Sequence, residues 1–282
     1  MIHADIRTAD VARHYDELDR FYQEIWGEHL HHGLWMTGEE SPEEAVLQLL
    51  DAVVRHGHIS AGDAVCDVGC GYGATARTLA AECGAHVTGL TLSEAQYQYA
   101  QHRAASTRPV PTFVLQDWLK NNLPDDHFDA VLFIESLSHM TDIGQALREA
   151  ARVVRPGGRV VLCAWLADAT PGPWAERHIL TPICREGRLP GMPSGVDLRR
   201  GLRDAGLDLH HFRDWSPNVQ RTWDVVIRRV AAAVFTRADY RAYLLDRLQQ
   251  NRRFAFTLLR LWIGYRLGVV GYGLFVAEKP AD

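Results

Sequence analysis

The chain lacks the charge balance of a nucleic-acid binder. Its 282 residues carry 30 lysines and arginines against 35 aspartates and glutamates, a formal net charge of −5. Both signs are mixed along the sequence, so no basic footprint marks a DNA or RNA surface. Cysteine is scarce: Cys66, Cys70, Cys83, Cys163 and Cys184 make an odd set, mostly inside apolar runs. Such a set reads as buried thiols in a reducing cytoplasm, and Cys66 and Cys70 lack the close paired spacing of a structural zinc site. Long hydrophobic runs are also missing. The most apolar late stretch, LLRLWIGYRLGVVGYGLFVA, is broken by Arg260, Arg266 and four glycines. It reads as buried helix and strand, with no stable membrane insertion. The polar start, MIHADIRTAD, shows no secretory signal, and there is no internal repeat. What remains is a chain long enough for one large α/β core with appended helices.

What is present is alternation. From Asp63 to Trp165 apolar strand-like runs (AVCDVG, AHVTGL, TFVLQ, FDAVLFI, RVVLCAW) alternate with helical patterns. This order predicts a parallel sheet wound on both faces. A helix from about Asp142 to Val154 is expected to place Ile143, Ala146, Leu147, Ala150, Val153 and Val154 on one face, ending at the turn Arg155-Pro156-Gly157-Gly158. GYGLFVAEKP reads as a final strand. The flanks, rich in aromatics and interrupted by proline and glycine, are expected to fold over the open edge of the sheet, where such folds bind ligands.

The densest signal is VCDVGCGYG, residues 65–73. A strand stops at Asp67, and Gly69, Gly71 and Gly73 follow at alternate positions. Glycines at a strand-to-helix turn let the backbone approach a ligand, because no Cβ intervenes; a tight turn without ligand is the plainer alternative. Read from Gly71, GYGATA also fits a dinucleotide pattern. That reading wants an acid about 20 residues on for the ribose, and Thr91 and Leu92 stand there instead. Asp67 would repel a pyrophosphate and attract a cationic amino-acid group. S-adenosylmethionine carries an ammonium and a sulfonium, and suits the acid-then-glycines order best.

DVGCGYG resembles the first motif of the class I S-adenosylmethionine-dependent methyltransferases. GLTLSEAQ resembles the second-strand motif of the branch containing the tocopherol C-methyltransferases and the cyclopropane fatty acid synthases. QDW (116–118), FIESLSHM and RPGG follow in that family's order. IWGEHLHHGLW, residues 25–35, is similar to the N-terminal lid of the γ-tocopherol methyltransferase family and of related plant indole-alkaloid N-methyltransferases. RDWSPNV followed by TWDVVIRR is similar to that family after strand six. SHMTD departs from it, since relatives often carry a proline in place of the threonine.

The resemblance implies a Rossmann-like class I methyltransferase fold: a mostly parallel seven-stranded sheet, helices on both faces and a helical lid or cap. Residues 1–40 would form the lid, and 41–282 the Rossmann-like domain with cap insertions at about 168–200 and 217–265. It implies S-adenosyl-L-methionine as cofactor, with Asp67, Gly69, Gly71 and Gly73 as its cradle. Thr91 and Gln96 would serve the ribose, with Leu92 beside them against the cofactor, Asp117 would meet the adenine amino group, and Trp118 would lie beside the ring. Gln96 also sits at capping-box spacing from Ser93 and could cap the helix instead. Glu135 would face the methionine end or cap its loop. Trp35 would close over the cofactor, as aromatic faces suit a cation, or simply pack under a helix.

His139, in the loop after FDAVLFI, would be the base that deprotonates the acceptor, or a histidine that only braces the loop. His29, His31 and His32 lack a companion set of metal ligands, so no metal is expected. His32, Trp165 and Trp215 are assigned to the acceptor. The function expected is methyl transfer to a small, largely apolar natural product (phenol, indole or isoprenoid-bearing) at carbon, nitrogen or oxygen, by a monomer or homodimer. The alternative is a cyclase or isomerase that keeps the fold without transferring methyl.

Overall fold

The strand and helix patterns after Asp63 fold largely as the sequence suggests. The computed structural model describes residues 1–246 and 249–281. Seven strands, β1 (Ala64–Val68), β2 (His86–Thr91), β3 (Thr112–Leu115), β4 (Phe128–Ile134), β5 (Val154–Ala167), β6 (Asp208–Asp214) and β7 (Val270–Glu278), form one sheet. Its order is β3-β2-β1-β4-β5-β7-β6. β1 to β5 run parallel, and β7 inserts antiparallel between β5 and β6. The order reverses at β1, whose neighbours are β2 and β4, and the crevice beyond the carboxyl ends of these strands is where open α/β sheets bind ligands.

Strands buried on both faces explain why their sequences are almost continuously apolar. Val65, Leu132, Val161 and Leu274 face one way, packed with Leu49, Leu50 and Val53 of α2 (Pro42–Gly57). Val68, Val131, Phe133 and Leu162 face the other, with Leu147 and Val153 of α5 (Ile143–Val153) and Leu198 and Leu202 of α6 (Gly195–Asp204). Local caps set the helix starts. Ser41 and Glu44 form a reciprocal capping box on α2, and Asp142 accepts the Gln145 N–H on α5 at 2.8 Å, caps of a kind worth about 0.5–2 kcal/mol each.

The helix expected to end at Val154 stops one residue earlier. Val154 instead opens β5 by pairing with Phe128, and the RPGG segment is a bulge within that strand, pairing resuming at Arg159 with Ala130. Gly157 there has φ +74°, and a Cβ on Gly158 would lie 3.0 Å from the Asp129 carbonyl oxygen, so the excursion needs both glycines.

Residues 1–40 supply a short strand, Ile2–His3, paired antiparallel with Gly191–Met192, and α1 (Thr8–Ile25). Side chains tie this region to the parts that follow β1 and β2. Asp19 accepts the Tyr72 hydroxyl at 2.6 Å. Asp16 accepts the Ser93 hydroxyl at the start of α4 (Glu94–Ala104) at 2.5 Å. Glu28 takes Tyr99 at 2.8 Å and pairs with Arg77 and Arg103. The glycine turn leads into the helix Ala74–Thr78, continued by a wider turn to Cys83 and closed by Gly84 at φ +71°. Three helices of the late region are α7 (Arg221–Thr236), α8 (Ala238–Leu245) and α9 (Phe254–Arg266).

Candidate active site

A cleft enclosing about 940 Å³, partly open to solvent, lies at the carboxyl ends of β1, β2 and β4. Its floor is the turn after β1, Asp67 to Gly71, and one wall is Thr91, Leu92, Ser93 and Gln96 after β2. Gln116 and Trp118 follow β3, Glu135, Ser136 and His139 follow β4, and His29 to His31 cover it with Tyr15 of α1.

The three glycines do different work. All have positive φ: +78° at Gly69, +54° at Gly71 and +72° at Gly73. A Cβ on Gly69 would sit 2.4 Å from the Ser136 Cβ, and one on Gly73 would sit 2.4 Å from the Phe113 ring. A Cβ on Gly71 would meet only Leu30, at 3.8 Å. Gly69 and Gly71 line the cleft. Gly73, expected in the cradle, instead lets the following helix pack on Phe113 and Ala100.

Among the described residues, seven buried side-chain polar atoms have no hydrogen-bond partner. Five of them, on His29, His31, Asp67, Gln116 and Ser136, belong to residues lining this one cleft, so the unmet polar demand converges where a ligand would meet it. Asp67 is the strongest case. It is 2% exposed, its Oδ2 is orphaned, and burial pushes its carboxyl up to about 7. His31 Nδ1 lies 2.9 Å from the His32 carbonyl oxygen and must donate to it, which leaves Nε2 as a bare acceptor. An orphaned carboxylate beside a backbone without Cβ fits an amino-acid ammonium, and the residues present therefore fit S-adenosylmethionine.

This gives a prediction with a definite sign. An ammonium needs ionised Asp67, so affinity should fall as pH drops through about 7, by up to roughly tenfold per unit. Asp67→Asn should weaken binding roughly thirtyfold at pH 8 and abolish that slope. A folded-state value above the ordinary one also favours the protonated native form. The associated stability is lost as pH rises through about 7, so ligand-free Asp67→Asn should melt higher than wild type at pH 8 and alike near pH 4. Calorimetry and thermal melts at both ends of the range check this.

Gln96 does not complete a capping box. Ser93 accepts the Gln96 backbone N–H at 3.2 Å, but the Gln96 carbonyl oxygen takes the Thr91 hydroxyl at 2.8 Å, and both residues are buried on the cleft wall. Trp118 lines the cleft, its indole N–H bonded to the Ala146 carbonyl at 3.0 Å. Asp117 is not part of the lining: its carboxylate caps the Leu119 N–H at 3.0 Å, and the neighbouring Gln116 reaches the cleft in its place. Trp35 is also elsewhere. It is buried beside Gly33 and Ala45 and donates to the Glu40 carbonyl at 3.1 Å, and it lines a separate groove with Val46 and Val226.

A second, partly open cavity adjoins the first. Tyr15, Leu30, Glu135 and His139 line both, and so form the partition between them. His32 and Trp165 line the second cavity. Trp215 does not: it is 3% exposed, in the core cluster with Val219 and Tyr272.

Glu135 stands at φ +60° just past β4. Its carboxylate accepts the His32 backbone N–H at 2.6 Å, His32 Nδ1 at 2.9 Å, the Trp165 indole at 2.9 Å and the Tyr272 hydroxyl at 2.8 Å. Burial alone would raise it, but the His32 charge and these donors hold it at about 2. Four protein donors fill the capacity of a carboxylate, so Glu135 ties the segment around His32 to Trp165 of β5 and Tyr272 of β7 while it lines the cleft. Glu135→Gln turns one acceptor into a donor facing donors, and should cost roughly 2 kcal/mol, read as a lower melting temperature.

His139 Nδ1 lies 3.4 Å from the Arg188 carbonyl, which can only accept, so the proton sits there. Nε2 then accepts from the Tyr15 hydroxyl, 2.9 Å away. Burial lowers the imidazole to about 4, outweighing the Arg188 carbonyl and the Glu135 charge. Burial also raises the Tyr15 phenol, with the Glu135 charge adding to it. The sequence reading had no place for Tyr15. It lies 124 residues from His139, and only the packing of α1 over the sheet edge brings them together. In the sequence His31 is one member of a histidine cluster; its orphaned nitrogen is visible in three dimensions alone.

A glycine-floored cleft at the reversal of a β3-β2-β1-β4-β5-β7-β6 sheet, with an orphaned carboxylate in it, defines a class I S-adenosylmethionine-dependent methyltransferase. A family model described as a methyltransferase domain matches residues 66–162. The chain is 32% identical over 277 residues to 27-O-demethylrifamycin SV methyltransferase of Amycolatopsis mediterranei, covering 96% of this chain and 97% of that protein. It is 30% identical over 292 residues to the chloroplastic tocopherol O-methyltransferase of Arabidopsis thaliana, covering 96% and 82%. In fold it is similar to the 4+2 cyclase SpnF, with a TM-score of 0.81 and 24% identity over 100% of this chain and 99% of that one. The chain belongs to the S-adenosylmethionine-dependent methyltransferases, alongside enzymes named for natural-product and tocopherol methylation.

Proposed function

We propose that the protein methylates a hydroxyl of a small, largely apolar natural product held in the second cavity. The observation that carries this reading is the partition: a neutral His139 accepting from Tyr15 stands between a cleft suited to S-adenosylmethionine and an aromatic cavity beside it. When bound, the cofactor supplies an electrophilic methyl group on a sulfonium. Asp67 and His31 Nε2 hold its amino-acid end, and Thr91 with Gln96 hold its ribose. Gln116 and Trp118 meet the base in the region expected of Asp117.

His139 takes the proton that an acceptor hydroxyl must lose. Tyr15 either moves aside or passes that proton on, its own hydrogen going to Nε2 as it receives the acceptor's. A general base at the reacting atom contributes about 10²–10⁴-fold. Fixed orientation contributes more, about 7–11 kcal/mol in well-aligned systems. The Glu135 clamp on His32 and Trp165 serves that orientation and keeps water out. Residues 1–40 act as the lid over both cavities. We place the enzyme in the cytoplasm, as a monomer or homodimer acting on a small molecule, consistent with its free cysteines and net charge of −5.

The test is transfer of isotopically labelled methyl from the cofactor to a panel of phenolic and macrocyclic alcohols. Label in the product supports the reading. A product of unchanged mass, formed without consumption of cofactor, supports the cyclase alternative that the likeness to SpnF keeps in view.

A further inference from the structure

Two tyrosines of α1, Tyr15 and Tyr22, line the second cavity, and only Tyr15 has a part in the proton transfer described above. They stand two helical turns apart and so share a face. Their rings stack, with centroids 5.2 Å apart and planes at 29°. Each hydroxyl meets a histidine: Tyr15 meets His139 at 2.9 Å, and Tyr22 meets His14 at 3.0 Å. The second pair is set back from the ligands. His14 is 1% exposed and lines neither the cleft nor the cavity. Its hydrogen bonds follow in order from the surface inward. The carboxylate of Glu17, an exposed residue of α1, accepts from the Asn251 amide nitrogen. That turns the Asn251 carbonyl oxygen toward His14 Nδ1, 3.0 Å away, which must carry the proton. Nε2 is then a bare acceptor, and the Tyr22 hydroxyl donates to it. Burial lowers His14 to about 4, outweighing the Asn251 bond, so the ring is neutral and this order holds.

Apolar side chains at these positions would fill the space with no buried polar group to satisfy. What the polar chain adds is direction. Tyr22 is held at its hydroxyl by His14 and turns its ring toward Tyr15. His14 also sets its own edge against Tyr15, with centroids 5.6 Å apart and planes at 85°. We propose that His14 and Tyr22 are positioning residues for the methyl-transfer site: His14, backed by Asn251 and Glu17, locks Tyr22, and the two rings set Tyr15 so that its hydroxyl meets His139 Nε2. The proposal rests on the transferase reading of that site and adds the supports behind its base. The plainer role for the same chain is a fastening of α1 to the turn before α9, which carries Asn251. That role predicts a lower melting temperature in variants and no change at His139.

The test is nitrogen NMR of the full chain, isotopically labelled in histidine, at a pH of about 8, where both imidazoles are neutral. The His139 signals are identified by their absence in His139→Gln. Tyr15→Phe removes the donor to His139 Nε2 and sets the reference position for that nitrogen. His14→Leu should move the His139 Nε2 resonance most of the way to the reference. His14→Gln, whose amide oxygen can take the Tyr22 hydroxyl, should return it close to the wild-type position. Tyr22→Phe keeps the stacked ring and loses the hydroxyl alone; it is the milder variant and should move the resonance the same way as His14→Leu. A folded His14→Leu or Tyr22→Phe that leaves the His139 resonance in place overturns the proposal, as does an equal displacement in His14→Leu and His14→Gln. Failure of the transferase reading looks different: S-adenosylhomocysteine would give no heat with wild type, while the histidine resonances of the ligand-free chain would still be read.

Discussion

Gly71→Val should remove measurable cofactor binding, a loss of roughly a thousandfold or more, while leaving a folded protein. The geometry separates this glycine from its neighbours. Side chains at Gly69 or Gly73 would collide at 2.4 Å with Ser136 or Phe113, so variants there confuse folding with binding. At Gly71 the nearest atom to an added Cβ is 3.8 Å away, on Leu30, and the branched side chain would extend into the cleft the residue lines. The φ of +54° adds strain of about 1–2 kcal/mol, which a melt will register as a modest loss. Gly71→Ala bears much of the same strain with fewer atoms in the cleft and should bind roughly ten- to thirtyfold more weakly than wild type. Calorimetric affinities of wild type, Gly71→Ala and Gly71→Val should therefore fall in that order. Equal affinities would remove the glycine turn from the cofactor site.

His139→Ala should lower turnover by about 10²–10⁴-fold with cofactor affinity little changed. Tyr15→Phe distinguishes two roles for the hydroxyl. A relay through Tyr15 predicts a loss close to that of His139→Ala; a hydroxyl that only steadies the imidazole predicts a small one. The pH profile carries independent information. A histidine lowered by burial to about 4 is already neutral above that value, so the base form is present throughout the neutral range. With cofactor saturating at every pH, so that titration of Asp67 does not enter, turnover of wild type should then show no inflection near the ordinary histidine value of about 6.5, and a decline from loss of the base only as pH approaches 4. A profile with its acid limb at 6.5, or full activity in His139→Ala, would assign the proton to another group.

The parts of this protein that the sequence makes legible are those where physics is local. Strands buried on both faces must be apolar almost throughout, so AVCDV and FDAVLFI identify themselves, and a glycine turn behind a carboxylate advertises a cationic ligand. Caps such as Ser41 and Asp142 lie within one turn of what they bond. The RPGG excursion shows the limit: a bulge and a turn use the same residues, and only pairing with β4 decides between them.

Long-range partners stay hidden. Glu135 has one role if its loop stands alone and another once His32, Trp165 and Tyr272 arrive from distant segments. Tyr15 reads as one more aromatic on an amphipathic helix until α1 lies across His139. An aromatic face suits a sulfonium, which points Trp35 at the cofactor, and a position just past a strand points Trp215 at the acceptor; in the fold both are buried in packing, the more frequent use of so large a side chain.

Titration of the wild-type protein with S-adenosylmethionine and its demethylated product, followed by calorimetry at pH 8, tests the central claim most directly. The account predicts saturable one-to-one binding of both and none of NAD, whose pyrophosphate would face Asp67. Absence of heat with either sulfur nucleoside, or tighter binding of NAD than of both, would contradict it.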